Sequence, residues 1–68
     1  RVRLSGLRLH RDADEVDAVK LRYRADPVPA RLRGDVVELE RPFPGAAPGQ
    51  TAVLLAGDVI IGCATIAP

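Results

Sequence analysis

The 68-residue chain has no Met, no Trp and no Asn, a single cysteine (Cys63), a single histidine (His10) and only two aromatic rings, Tyr23 and Phe43. Each shortage excludes something. One cysteine cannot form an internal disulfide, and Cys63 with His10 cannot close a zinc site. With two rings there is little to stack bases on, so a stacking platform for single-stranded nucleic acid is disfavoured. No glycine-rich phosphate loop leads into a helix. Asp12, Asp14 and Asp17 crowd together but lack the fixed glycine and terminal glutamate of a calcium loop. No carboxylate pair has a visible acid and base, and His10 has no nucleophile beside it. On these residues the chain by itself carries no catalytic machinery. The longest apolar stretch, Val53 to Ala67, is broken by Gly57, Asp58 and Gly62 and is too short for a bilayer. No secretory segment opens the chain, so a soluble, cytoplasmic protein is expected.

Size bounds the remainder. Sixty-eight residues make one domain, residues 1–68, whose core is thin because only roughly 60% of the unfolded surface can be buried. Without a staple, such a domain leans on neighbouring protein. The chain also starts at Arg1 inside an apparent strand, which reads as a piece of a longer, multidomain protein.

What is present is aliphatic and arginine-rich. Hydrophobic residues make up 47%, enough for collapse, and the formal charge is only +1. The charge is uneven. Residues 1–34 hold nine Lys/Arg against five Asp/Glu, a balance of +4, and residues 35–68 hold one against four, or −3. A positive side is therefore expected. Arginine supplies nine of the ten basic residues in a chain rich in Ala, Gly and Pro, a bias typical of GC-rich coding. That lowers the weight of the arginine excess as a sign of phosphate binding.

Period-2 alternation dominates the pattern. Val2 and Leu4 alternate with Arg1 and Arg3, the phase slips at Ser5-Gly6, and Leu7 and Leu9 resume it, which predicts a bulge at the glycine. Asp12 to Asp17 reads as an acidic turn. A second strand places Val19, Leu21 and Tyr23 on one face and Lys20, Arg22 and Arg24 on the other, ending before Asp26-Pro27. A third faces Val28, Ala30 and Leu32 inward and Arg31 and Arg33 outward. Gly34-Asp35 turns into a fourth, Val36 to Arg41, with Val37 and Leu39 inside and Glu38 and Glu40 outside. Prolines 42, 44 and 48 make the next segment a loop. A last hairpin pairs Thr51–Ala56 with Val59–Ile66 across a Gly57-Asp58 turn of type II′. Its continuous apolar runs predict strands covered on both faces or by another domain. The fold class is all-β, a small six-stranded barrel with Val53, Leu55, Ile60 and Ile66 among its core residues.

The candidate site is a basic stripe: Lys20, Arg22 and Arg24 on one strand, with Arg31 and Arg33 on the next. If the strands pair, five cations share a patch able to meet nucleic-acid phosphates. The competing reading is a solvated face on which Glu38 and Glu40 pair with Arg31 and Arg33 across the turn. Cys63, inside the apolar last strand, reads as a buried structural thiol.

Two segments carry a resemblance. Lys20-Leu21-Arg22-Tyr23-Arg24 is similar to a Lys-x-Arg-Tyr-Arg strand, followed at a matching distance by Pro48-Gly49-Gln50, the Gly57-Asp58 hairpin, Gly62 and Ala64-Thr65-Ile66. Together, over residues 16 to 66, they resemble the end of bacterial tRNA-specific 2-thiouridylases. Cys63-Ala64 departs from the glycines usual there. The resemblance implies a C-terminal barrel similar to the second domain of elongation factors, which helps to hold tRNA and packs on the catalytic and central domains of the same chain. It implies for the parent enzyme ATP as the activator of the wobble uridine's C2 oxygen. A cysteine persulfide, loaded by a sulfur-carrier protein, then delivers sulfur. No redox role passes to Cys63, because the family's sulfur-carrying cysteines lie in other domains. A purely structural barrel and a translation-factor-like protein-binding module remain the alternatives.

Overall fold

A computed structural model describes residues 1–21, 26–41 and 46–68. Six strands form within them: β1 (Val2–Leu9), β2 (Ala18–Lys20), β3 (Val28–Arg33), β4 (Val36–Leu39), β5 (Thr51–Ala56) and β6 (Val59–Ile66). They close into a barrel in the order β1-β4-β3-β2-β5-β6, every neighbouring pair antiparallel. The acidic segment becomes one 3-10 turn, Ala13–Glu15, in which the Asp12 N–H donates to Glu15 Oε2 at 3.2 Å. Among the described residues no helix is long and apolar enough to cross a membrane.

A six-stranded barrel has an interior that side chains alone can fill. Leu4, Val19, Leu21, Leu32, Val37, Leu54, Ile61 and Ile66 fill it, joined by Val16 from the turn before β2. Strand β3 alternates in and out along its whole length, as its sequence pattern requires. The glycine at the phase slip of β1 is a bulge: the β1/β6 register shifts by one between Ser5 and Arg8, and Gly6 has φ +61°.

The turn joining β5 to β6 is of type II′. Gly57 has φ +61° while no described non-glycine residue has positive φ, so Asp58 does not, and the I′ alternative is excluded. Only glycine takes that first position without steric cost. The Pro48-Gly49 turn is pinned to the end of β6: Gly49 N–H donates to Ile66 O at 2.9 Å, and Ile66 N–H to Gln50 O at 2.8 Å.

Three expectations change. Ile60, expected inside, is 64% exposed, and Ile61 is buried instead. The cause is a second bulge: Leu54 pairs with Gly62 but Leu55 with Ile60, leaving Ile61 as the extra residue of β6. In β5 the buried set is Ala52, Leu54 and Leu55, while Val53 is half-buried on the outer side. Cys63 is exposed, because it stands opposite Val53 on that outer side. The expected strand from Val19 to Arg24 is seen only as Ala18–Lys20 with buried Leu21 after it; Arg22, Tyr23 and Arg24 lie outside the described residues.

Candidate nucleic-acid interface

The register of β3 and β4 positions Arg31 and Arg33. Arg31 stands opposite Glu38 and Arg33 opposite Val36, the pair of strands joined by the Gly34-Asp35 turn. Arg33 Nε lies 2.6 Å from Glu38 Oε1, and Arg1 Nε lies 3.5 Å from the other oxygen of the same carboxylate. One acid thus faces three arginines. Its two pairs are largely in solvent, where each contributes roughly 0–1 kcal/mol and holds its partner weakly. Arg31 has no ion pair among the described residues. Glu40 makes none there either; its backbone N–H donates to Pro29 O at 2.9 Å.

Lys20 lies elsewhere. It ends β2, opposite Val53 of β5, whereas β2 pairs with β3 only through Ala18 and Pro29 and through Val19 and Val28. Arg31 is therefore displaced along β3 from the end that Lys20 adjoins, by roughly 13 Å for four residues of strand. Arg31 and Arg33 sit beside Glu38 and Arg1, and Lys20 sits beside β5. Pairing of adjacent strands was not enough to unite them, because the two hairpin arms overlap only at their ends. The placements of Arg22 and Arg24 lie outside the described residues.

Strand closure sets Arg8, a cation that the stripe omitted, in one cross-strand row with Lys20, three strands away. Arg8 of β1 stands opposite Cys63 of β6, Cys63 opposite Val53 of β5, and Val53 opposite Lys20. Nothing local in the sequence links these four residues. The row exists because β1 pairs with the last strand. Among the described residues no three His, Cys, Asp or Glu side chains gather as a metal site.

A groove is lined by Leu21, Pro27, Val53, Leu55 and Ile60 together with Lys20, Thr51 and Asp58. It reaches the hairpin tip at Gly57 and Ile60, and the neighbouring Val59 is 52% exposed. The continuous apolar runs noted in the sequence thus leave one end of the β5–β6 hairpin bare.

The fold and its faces define a small, closed antiparallel barrel domain. The chain belongs to the aminomethyltransferase β-barrel domain family, whose model matches residues 7–66. It is 51% identical over 43 residues to the tRNA-specific 2-thiouridylase MnmA of Rhizorhabdus wittichii, covering 63% of this chain and 11% of that protein. To the MnmA proteins of Cutibacterium acnes and Leifsonia xyli it is 47% and 48% identical, over 69% and 71% of the chain and 14% of each relative. The chain therefore spans between a ninth and a seventh of the length of the curated relatives it matches. No solved structure matches it.

Proposed function

We propose that this barrel is the non-catalytic, tRNA-contacting part of a cytoplasmic enzyme that 2-thiolates the wobble uridine of tRNA. The observation that carries the reading is the 45–51% identity to tRNA-specific 2-thiouridylases over most of the chain. In this reading ATP, the persulfide cysteine and the sulfur-carrier protein are handled by other parts of the longer polypeptide. The barrel's own contribution is electrostatic. Lys20, Arg22, Arg24, Arg31 and Arg33 meet backbone phosphates, release counterions and position the tRNA without reading its sequence. Arg31 is the freer of the two β3 cations, since Arg33 already shares Glu38 with Arg1.

The test is a salt titration of tRNA affinity for the full-length protein and for its Lys20→Gln/Arg22→Gln/Arg24→Gln variant. Loss of three phosphate contacts flattens the logarithmic salt slope by about 2–3. Two superimposable curves would show that these cations face only solvent.

A second reading is favoured by one observation, the exposed Val59 and Ile60 beside an apolar groove. In it the hairpin tip packs on another domain of the same chain and the barrel is a structural support. In it Lys20, which lines the same groove as Ile60, is covered along with the apolar tip.

A further inference from the structure

Barrel closure sets β1 against β4, and β4 lies against β3, so short cross-strand rows span these three neighbours. In one row Arg3 of β1 stands opposite Val36 of β4, and Val36 opposite Arg33 of β3. In the next, Glu38 stands opposite Arg31. Its carboxylate is met by Arg1 at 3.5 Å from the β1 side and by Arg33 at 2.6 Å from the β3 side. The Leu4 N–H donates to Asp35 O at 2.7 Å, which pins the β3–β4 turn beside β1. Arg1, Arg3, Arg31 and Arg33 are exposed, and Val36 and Glu38 between them are half-buried. Strand spacing and rise place the four arginines on a patch of roughly 10 by 7 Å. Their long side chains reach across the barrel's curvature, as the shared Glu38 shows. Arg3 and Arg31 have no ion pair among the described residues. The other acids nearby are Asp35 in the turn, Glu40 after β4 and Asp17, whose carboxylate accepts the Gly57 N–H. Among the described residues none of these three pairs with an arginine.

We infer that the β1–β4–β3 face is a phosphate-binding surface for RNA, with Arg1, Arg3, Arg31 and Arg33 as donors and Glu38 as the internal anion that a phosphate displaces. The inference rests on the reading that the barrel meets tRNA. It adds Arg1 and Arg3, which the basic stripe does not contain, and gives the contact a defined face. Guanidinium forks bind phosphate oxygens bidentately, which a lysine cannot do. Three guanidiniums around one carboxylate hold far more N–H donors than it can accept, so donors remain for a second anion. The Glu38 pairs are exposed and weak, so exchanging that acid for a phosphate costs the fold little. A protein interface has an apolar centre. Here the centre is Glu38 with one half-buried valine, Val36. Strands β1, β3 and β4 carry no aromatic ring and no Asn or Gln, side chains that stack on bases or read adenine edges. That composition suits a face that positions a backbone rather than reading a sequence.

The experiment compares the full-length protein with its Arg1→Gln/Arg3→Gln variant and with Arg8→Gln/Arg11→Gln, which removes the same charge elsewhere on the barrel. The logarithmic salt slope of tRNA affinity is expected to flatten by about 1.4–1.8 in the first variant, two contacts at roughly 0.7–0.9 each. In the second it is expected to stay at the wild-type value. In parallel, modification of arginines by phenylglyoxal is followed by peptide mass spectrometry with and without saturating tRNA transcript. Bound tRNA is expected to slow the reaction severalfold at Arg3 and Arg31 and not at Arg8. Equal flattening in the two variants would reduce the effect to net charge and overturn the inference. Protection of Arg3 and Arg31 before RNA is added would overturn it too, since protein then covers the face. If Arg1→Gln/Arg3→Gln keeps the wild-type slope while the Gln variant of Lys20, Arg22 and Arg24 flattens it, the RNA lies on another face. The tRNA-contacting role then stands without this one. If both sets of variants bind as wild type does, the broader reading fails as well.

Discussion

The Asp17 carboxylate accepts the backbone N–H of Gly57 through both of its oxygens, each at 3.0 Å. The backbone of Asp17 is committed as well, donating to Leu55 O and accepting from Ala30 N–H, both at 3.0 Å. One residue therefore ties β3, β5 and the β5–β6 turn together. It also holds in place the glycine that allows the turn. An acidic segment that reads as a solvated turn in the sequence has one member with a structural task.

Removing that acceptor exposes its worth. Asp17→Ala is expected to cost about 1–2 kcal/mol, the range of a charge-assisted bond discounted for exposure, and Asp17→Asn less, since its amide oxygen still accepts. For a domain this size 1 kcal/mol moves the melting midpoint by roughly 4–8 °C. Thermal unfolding of the two variants checks the order; equal midpoints for Ala and wild type would contradict it.

The hairpin offers a sharper contrast. Leu54→Ala should cost about 2–5 kcal/mol, because its side chain is fully enclosed, whereas Ile60→Ala should stay within roughly 0.5 kcal/mol in the barrel domain. Urea unfolding midpoints measure both. A large effect at Ile60 and a small one at Leu54 would mean that β6 runs in the unbulged register.

Gly62 tolerates no side chain. A Cβ built there would lie 2.5 Å from Arg8 O and 2.7 Å from Leu9 Cδ2, across the β1/β6 pair. The first of these is backbone and cannot swing aside. Gly62→Ala is accordingly expected to destabilise by about 1–3 kcal/mol. Circular dichroism melts and amide exchange along β1 would show the loss, concentrated at Arg8 and Leu9.

Glu38 is the acid that shields the β3–β4 cations. Glu38→Gln should leave stability within about 1 kcal/mol, since both of its pairs are surface pairs. If Arg33 meets RNA, the same change frees it and steepens the salt slope of tRNA affinity by up to about 0.9. An unchanged slope in the full-length protein would take Arg33 out of the interface.

Much of this fold could be read before any coordinates, and the reasons are local. Alternation in Val28 to Arg33, the glycine at the β1 phase slip and the Gly57-Asp58 tip each carry their own signal within a few residues. The phase of β5 and β6 could not be read, because Val53-Leu54-Leu55 and Val59-Ile60-Ile61 are apolar on both parities and a bulge at Ile61 leaves no mark in composition. The same gap hid the site. Arg31 opposite Glu38, with Arg33 ion-paired to the same acid, follows from one short turn, but Arg8 opposite Cys63 depends on the pairing of β1 with β6. The resemblance to the thiouridylases named the family without naming the face.

Leu4 pairs with Ile66, and the Ala67 N–H donates to Arg3 O at 2.9 Å. The ring therefore shuts with the last of its six strands in chain order. Until β6 leaves the ribosome, β1 and β5 each present an unpaired edge, the state in which strands recruit foreign chains. Nothing short-range rewards β1 for waiting, so closure is the slow, entropy-limited event of folding. Truncation anywhere before β6 would leave an open, adhesive sheet rather than a smaller barrel. The adjoining ends carry the opposite benefit: a cut at the Gly57-Asp58 tip, with the present termini joined, preserves every strand neighbour and only changes which one arrives last.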